Sequence, residues 1–240
     1  MKIVLSQRLQ ALADMVSPGS SVADIGCDHG FLSVYLVQNG ISPRVLAMDV
    51  REGPLAGAKE HVALCGLENY IETRLSDGLM QYEPGECRTM VCAGMGGRLM
   101  ARILLQSAEK AQSFSELILQ PQSEIPDFRR FLQGEGYEIL DENILWEEGK
   151  YYFLIKAAWT GKKCGGQNPL YEEFGEKLLL GRHPVLKQYL QYRQDKALQI
   201  EKKLLSNRNS RAQKRLKEVR QEIDLLKRAM DFFESAVREI

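Results

Sequence analysis

Hydrophobic positions come in short clusters over the first two thirds of the chain and in heptads over the last third. Residues 21–25, 45–50, 70–75, 89–93 and 117–120 are compact apolar runs bounded by Gly, Pro, Asp or Ser, and they predict buried strands. Between them, residues 32–39, 55–65, 98–110 and 125–134 carry helical spacing. A further helix is predicted over 7–16, where Leu9, Leu12, Ala13 and Val16 share one face. Strands alternating with helices imply βαβ units and a parallel sheet. Residues 138–146 and 151–159 are two more strand-like runs. Only Glu147-Glu-Gly-Lys150 separates them, and Gly149 can take positive φ, so the sheet is expected to end in an antiparallel hairpin.

Residues 161–169 are a composition break and read as a linker. Beyond it, Leu186, Leu190, Arg193, Ala197, Ile200 and Leu204 step alternately by four and three residues. Leu216, Val219, Ile223, Leu226, Met230, Phe233 and Val237 do the same. Both are a/d seams, with Arg193 the polar intruder. Asn207-Arg-Asn-Ser210 can turn the chain between them. The organisation expected is a Rossmann-like α/β domain over 1–160, a linker over 161–169 and a helical coiled-coil hairpin over 170–240. The sheet of the first domain is expected to be mostly parallel with an antiparallel last strand.

Charge follows the same division. The whole chain balances 32 Lys and Arg against 32 Asp and Glu, which argues against a wholly basic nucleic-acid binder. From Asn168 onwards, however, 16 basic residues face 11 acidic ones, a net of +5, which leaves −5 for the rest. Lys202, Lys203, Arg208, Arg211, Lys214, Arg215 and Lys217 gather at the hairpin tip with no acidic residue among them. No run approaches the roughly 18 apolar residues that span a bilayer, and no apolar stretch of signal-peptide type follows the first charges. Five scattered cysteines without a C-x-x-C pair, and only three histidines, argue for reduced thiols and against a metal site. A cytoplasmic protein without membrane contact is expected.

The chemistry concentrates where strands end. Val22-Ala-Asp-Ile-Gly-Cys-Asp-His-Gly30 is a strand running into a glycine loop and then a helix, which presents backbone N–H groups to a ligand. Its Gly26 and Gly30 permit a close approach, but the spacing is not the G-x-G-x-x-G that cradles a pyrophosphate. Asp24 and Asp28 make the loop acidic, which suits a cationic ligand. S-adenosylmethionine, with a sulfonium and an amino acid end and no phosphate, has that character. Asp49 ends the second strand, where a carboxylate can accept two ribose hydroxyls. Asp77-Gly78 follows the third and could meet the adenine amino group. Ala93, Gly94 and Met95 follow the fourth, where the transferred methyl would face its acceptor. Each feature alone is an ordinary turn; four in order after four successive strands point to one site.

Ser6-x-Arg8-Leu9, Asp24-Ile-Gly-x-Asp-His-Gly30, Gly53-Pro-Leu55, Asp77-Gly-Leu79, Gly94-Met-Gly-Gly97 and Leu119-Gln-Pro121 together resemble the bacterial tRNA (adenine-N1)-methyltransferases that modify A22. The resemblance covers about the first 160 residues, and that family also carries a C-terminal helical coiled coil. It implies binding of S-adenosylmethionine and methylation of tRNA.

The loop after the fourth strand offers neither a side-chain amide nor an aromatic ring, unlike the Asn/Asp-Pro-Pro-Tyr/Phe loop of exocyclic amino methylation. A ring nitrogen such as N1 of adenine has an in-plane lone pair and needs no prior deprotonation. Asp28 and His29 are the expected catalytic pair, Asp28 stabilising positive charge or accepting an N6 proton and His29 orienting it or touching the base. Phe31, Tyr35 and Tyr82 are candidates for stacking on an extruded base. Arg8, Gly96, Gly97, Lys202, Lys203, Arg208, Arg211, Lys214 and Arg215 are the expected substrate-binding set, with Arg98, Arg102, Arg129 and Arg130 extending a phosphate track. Two alternatives stand beside this reading. One is a small-molecule or protein methyltransferase whose coiled coil dimerises. The other is a non-catalytic binding module. The seams can pair within or between chains, and a monomer is the expectation.

Overall fold

The computed structural model describes residues 2–164, 168–206 and 209–234. The chain divides into two compact units, Met1–Gly165 and Gly166–Ile240.

The first unit is built on one seven-stranded sheet. Its strands are β1 (Val22–Ile25), β2 (Val45–Asp49), β3 (Ile71–Leu75), β4 (Thr89–Met95), β5 (Glu116–Pro121), β6 (Tyr137–Glu147) and β7 (Lys150–Trp159), in the order 3-2-1-4-5-7-6. β1 to β5 are parallel; β7 is antiparallel to both β5 and β6. The sequence pattern explains the difference. β1, β2 and β5 are buried at every position, as a parallel sheet covered on both faces requires. β6, at the sheet edge, mixes buried and exposed positions. Strand order reverses at β1, so the carboxyl ends of β1 and β4 flank the crevice where ligands enter such sheets.

The helices of this unit are α1 (Gln7–Met15), α2 (Phe31–Gln38), α3 (Glu52–Leu64), α4 (Gly97–Gln106), α5 (Ala108–Gln112) and α6 (Ile125–Gly134). The single helix expected over 98–110 is two, because Ser107 leaves helical geometry at φ −128° and ψ 46°. Both ends of α1 are fixed. Ser6 caps its start by accepting from the Leu9 N–H, and the Glu147 carboxylate accepts from the Gln7 N–H at 2.6 Å. At its other end, buried Glu116 accepts from the backbone and hydroxyl of Ser17 and pairs with Lys156, which also donates to the Met15 carbonyl. Arg8 is thereby set in place.

The second unit holds α7 (Pro169–Phe174), α8 (Glu176–Leu180), α9 (Pro184–Leu205) and α10 (Ser210–Glu234) among the described residues. α9 and α10 run antiparallel, with Arg193 paired to Glu222 and Arg220 to Glu201. α7 and α8 are too short for periodicity to reveal. Leu186, Leu190, Ala197, Val219, Ile223 and Leu226 are buried as the seams require. Ile200 is not; it is 40% exposed, and the half-buried Glu201 takes the inward position to meet Arg220. Arg193 sits within the seam because Glu173 and Glu222 both neutralise it.

Candidate active site

The carboxyl ends of β1, β2 and β4 open on one cavity of about 640 Å³, which falls in the range of small-molecule sites. Asp24, Gly26, Asp28, His29, Asp49, Asp77, Gly78, Ala93, Gly94 and Met95 all line it. Residues as far apart in the chain as Asp24 and Met95 are brought together by the parallel topology.

Asp24 is buried at the end of β1 and accepts a hydrogen bond from the Ser33 hydroxyl on α2 at 2.7 Å. Burial raises its carboxyl to about 6; the Ser33 hydroxyl opposes that rise, and the neighbouring Asp49 charge adds to it. Two carboxylates close together in a low-dielectric crevice favour a cationic guest. Asp49, also buried, accepts from the Asp28 N–H at 3.1 Å and the Arg51 N–H at 2.9 Å. Asp49 therefore holds the glycine loop in shape, with lone pairs to spare for a ligand.

The loop itself is strained where its chemistry lies. Asp28 is a non-glycine residue at φ +50°, with its side chain 63% exposed. His29 Nε2 and an Arg51 guanidinium nitrogen approach its carboxylate at 3.9 and 3.8 Å. The His29 ring lies over Gly57 of α3, where a Cβ would come within 2.5 Å of Nδ1. His61 Nδ1 is 2.8 Å from the His29 carbonyl, and Phe31 packs against the His61 ring at 4.6 Å. The Cys27 thiol of the loop and the Cys92 thiol inside β4 are both held in the protonated form. Burial first, then the charges of Asp24 and Asp49, push the Cys27 thiol far above its usual value, and burial pushes Cys92 up to about 12. Among the described residues no His, Cys, Asp and Glu cluster could hold a metal ion.

Several sequence expectations take a different place. Gly30 begins α2 at φ +71°, packed on Ala58 rather than lining the cavity. Gly97 is buried at the start of α4, where a Cβ would lie 2.7 Å from the Ser123 carbonyl oxygen, so it lets the loop after β5 dock. Gly96 likewise faces Ser123. Tyr82 is fully buried with its hydroxyl donating to the Cys87 carbonyl, and Tyr35 packs into the core beneath α2. Of the three aromatic candidates, Phe31 alone lines the cavity. Arg129 is buried in a pair with Glu142 and cannot reach a phosphate. Arg98 and Arg130 pair with Glu124 and Asp127, while Arg102 lines the cavity. Arg8 stands inside the cavity, donating to Gln120 at 3.0 Å with its guanidinium over the Tyr152 ring. In the second unit Lys202, Lys203, Arg211 and Lys214 are exposed, and Arg215 pairs with Glu218. Arg208 lies outside the described residues.

Sequence reasoning missed Ser33, Arg51, Gly57, Gln120 and Gln122. The first three are single residues on helix faces or loops and carry no motif. Gln120 lies in Leu119-Gln-Pro121, a motif of the resemblance to which no role is attached, and Gln122 falls one residue beyond it.

Residues 5–155 match the family model described as a methyltransferase domain. The tRNA (adenine(22)-N(1))-methyltransferase of Bacillus subtilis is 38% identical over 156 residues, covering 65% of this chain and 66% of that protein. The crystal structure of the B. subtilis m1A22 tRNA methyltransferase aligns with a TM-score of 0.82 at 30% identity, over 95% of this chain and all of that one. An M. capricolum structure in complex with S-adenosyl-homocysteine aligns at 0.80 and 27% identity, over 95% of this chain and 98% of the other.

Proposed function

The chain belongs to the S-adenosylmethionine-dependent tRNA (adenine(22)-N1)-methyltransferase family, and on that premise we propose that it methylates N1 of an adenine, A22, in tRNA. The observation that carries the reading is the pairing of buried Asp24 and Asp49 across one cavity from the open Gly94-Met95 loop. The two carboxylates give a cationic cofactor its charge complement, and the cavity matches the size of a nucleoside with an amino acid attached. When bound, S-adenosylmethionine supplies the electrophilic methyl carbon. Asp24, Gly26, Asp49, Asp77, Gly78, Ala93, Gly94 and Met95 form the cofactor set. Gly30 supports it from behind by letting α2 begin against α3.

The acceptor N1 attacks with its own lone pair, and the electrons of the breaking carbon–sulfur bond stay on sulfur. No proton leaves before the bond forms, so no general base of neutral pKa is needed. The product ring carries a positive charge, and the exposed carboxylate of Asp28, steadied by His29 and Arg51, is the group in reach to stabilise it. Phe31, exposed at the rim although apolar, offers a face for the extruded base. Arg8 stands on the acceptor side beside Gly94. The exposed Lys202, Lys203, Arg211, Lys214 and Arg215, with Arg208, meet tRNA phosphates. Incubation of tRNA with methyl-labelled cofactor, followed by nucleoside mapping, tests the reading: label in 1-methyladenosine is expected. Label in protein or small molecules, or none, overturns it.

A further inference from the structure

The β4 loop carries no side-chain amide, yet the cavity is lined by one. Gln122 follows β5 and reaches it from the side of Gly94, where its Nε2 is 3.6 Å from the position a Cβ would occupy. Among the described residues its amide makes no hydrogen bond, whereas the neighbouring Gln120 is fully buried and engaged by Arg8 and the Gly94 N–H. The Gln122 backbone is fixed relative to β4. Its N–H donates to the Met95 carbonyl at 2.8 Å, and the next residue accepts from the Gly97 N–H at 3.1 Å. The Ser123 hydroxyl then donates to Glu124, which pairs with Arg98 on α4. Gly97 makes this docking possible, since a Cβ there would lie 2.7 Å from the Ser123 carbonyl oxygen, and at Gly94 a Cβ would meet the Gln122 amide at ordinary contact distance. Gly97 thus lets the segment after β5 dock, with the Gln122 amide alongside Gly94.

We propose that Gln122 selects adenine by reading its N6 amino group and N7. This rests on the adenine-N1 reading above. A carboxamide presents a donor beside an acceptor, the complement of adenine N7 and N6–H. Guanine places the O6 acceptor where adenine has N6–H, so one of the two contacts becomes repulsive. Pairing on this edge leaves the N1 lone pair unengaged and fixes the rotation of the ring in its plane. Buried Asp24 and Asp49 lie on the β1–β2 side of Gly94, and Gln122 on the β5 side. The base is then held on the β5 side of Gly94, opposite the cofactor.

The test compares tRNA carrying adenosine or 7-deazaadenosine at the acceptor position, for the parent enzyme and Gln122→Ala. The parent should lose roughly tenfold in kcat/KM on the 7-deaza substrate, the worth of one good base contact. Gln122→Ala, which loses both contacts, should be slowed on adenosine by more than that tenfold and be insensitive to the missing N7, with unchanged affinity for S-adenosylmethionine. An equal penalty for 7-deazaadenosine in both proteins, or none in the parent, overturns the assignment. Absence of N1 methylation by the parent on ordinary adenosine overturns the adenine-N1 reading and this one with it.

Discussion

Asp24 carries a cost that the Ser33 hydroxyl offsets only in part. Its carboxyl is raised to about 6, chiefly by burial. The folded state therefore holds the proton more tightly than the unfolded chain, and stability falls as pH rises from about 4 to about 6, by about 3 kcal/mol. Asp24→Asn removes that penalty and keeps an acceptor for Ser33. The ligand-free variant should melt several degrees above the parent while losing the thermal shift that S-adenosylmethionine gives. A lower midpoint would show that Asp24 is structural. The same sign fixes the pH dependence of binding. Cofactor affinity should weaken by up to tenfold for each pH unit below about 6, read by titration calorimetry, as the carboxylate that faces the cation is neutralised.

Gly57 separates function from stability at a single position. A helix gains up to about 1 kcal/mol when an interior Gly becomes Ala. Here the added methyl would meet the His29 ring 2.5 Å away and turn it off the Asp28 side of the loop. Gly57→Ala is thus expected to fold at least as stably as the parent by urea denaturation, while kcat drops by about tenfold. An unchanged kcat would remove His29 from the active centre. Asp28→Ala should go further, abolishing single-turnover methylation while cofactor affinity is largely kept, since Asp28 is exposed and the buried carboxylates remain.

At the scale of elements, the readable parts are those where burial acts on both faces. β1, β2 and β5 were predicted from apolar runs within a residue or so of their observed ends, because nothing polar survives inside a doubly covered sheet. The site was readable for the same reason: a parallel sheet gathers its loops at one edge, and four of them carried acid or glycine. What could not be read were contacts made by packing. Nothing in the sequence says that Gly57 is there for His29, that Gly97 admits Ser123, or that Tyr82 points inwards. The heptads show the same limit. Counting by four and three assigns Ile200 to the seam, but Ile200 is exposed and the neighbouring Glu201 pairs with Arg220 instead. Ile200→Ala should change the denaturation free energy by less than about 0.5 kcal/mol, whereas Leu190→Ala, fully buried, should cost roughly 2–5 kcal/mol. Equal losses in urea melts would restore the simple heptad.

At the scale of the whole molecule, neutrality conceals a division of labour. The unit with the cavity carries −5 and the helical unit +5. A negative cavity suits a cationic cofactor, yet a negative surface repels a polyanion, so the affinity for tRNA has to come from local positive charge. On the proposed reading the helical unit supplies it, and its lysines differ in what they have to spare. Arg215 already pairs with Glu218 and Arg220 with Glu201, whereas Lys202, Lys203 and Lys214 have no carboxylate within ion-pair distance among the described residues. A phosphate meets an unpaired ammonium without first displacing a partner. Lys214→Glu should therefore weaken tRNA binding more than Arg215→Glu does, and reduce the slope of log affinity against log salt by about one. Cofactor affinity should be unaffected by either. Filter binding of tRNA across a salt series, with both variants equal to the parent, would mean that this end of the hairpin is an ordinary solvated surface and that the tRNA is held by the cavity-bearing unit alone.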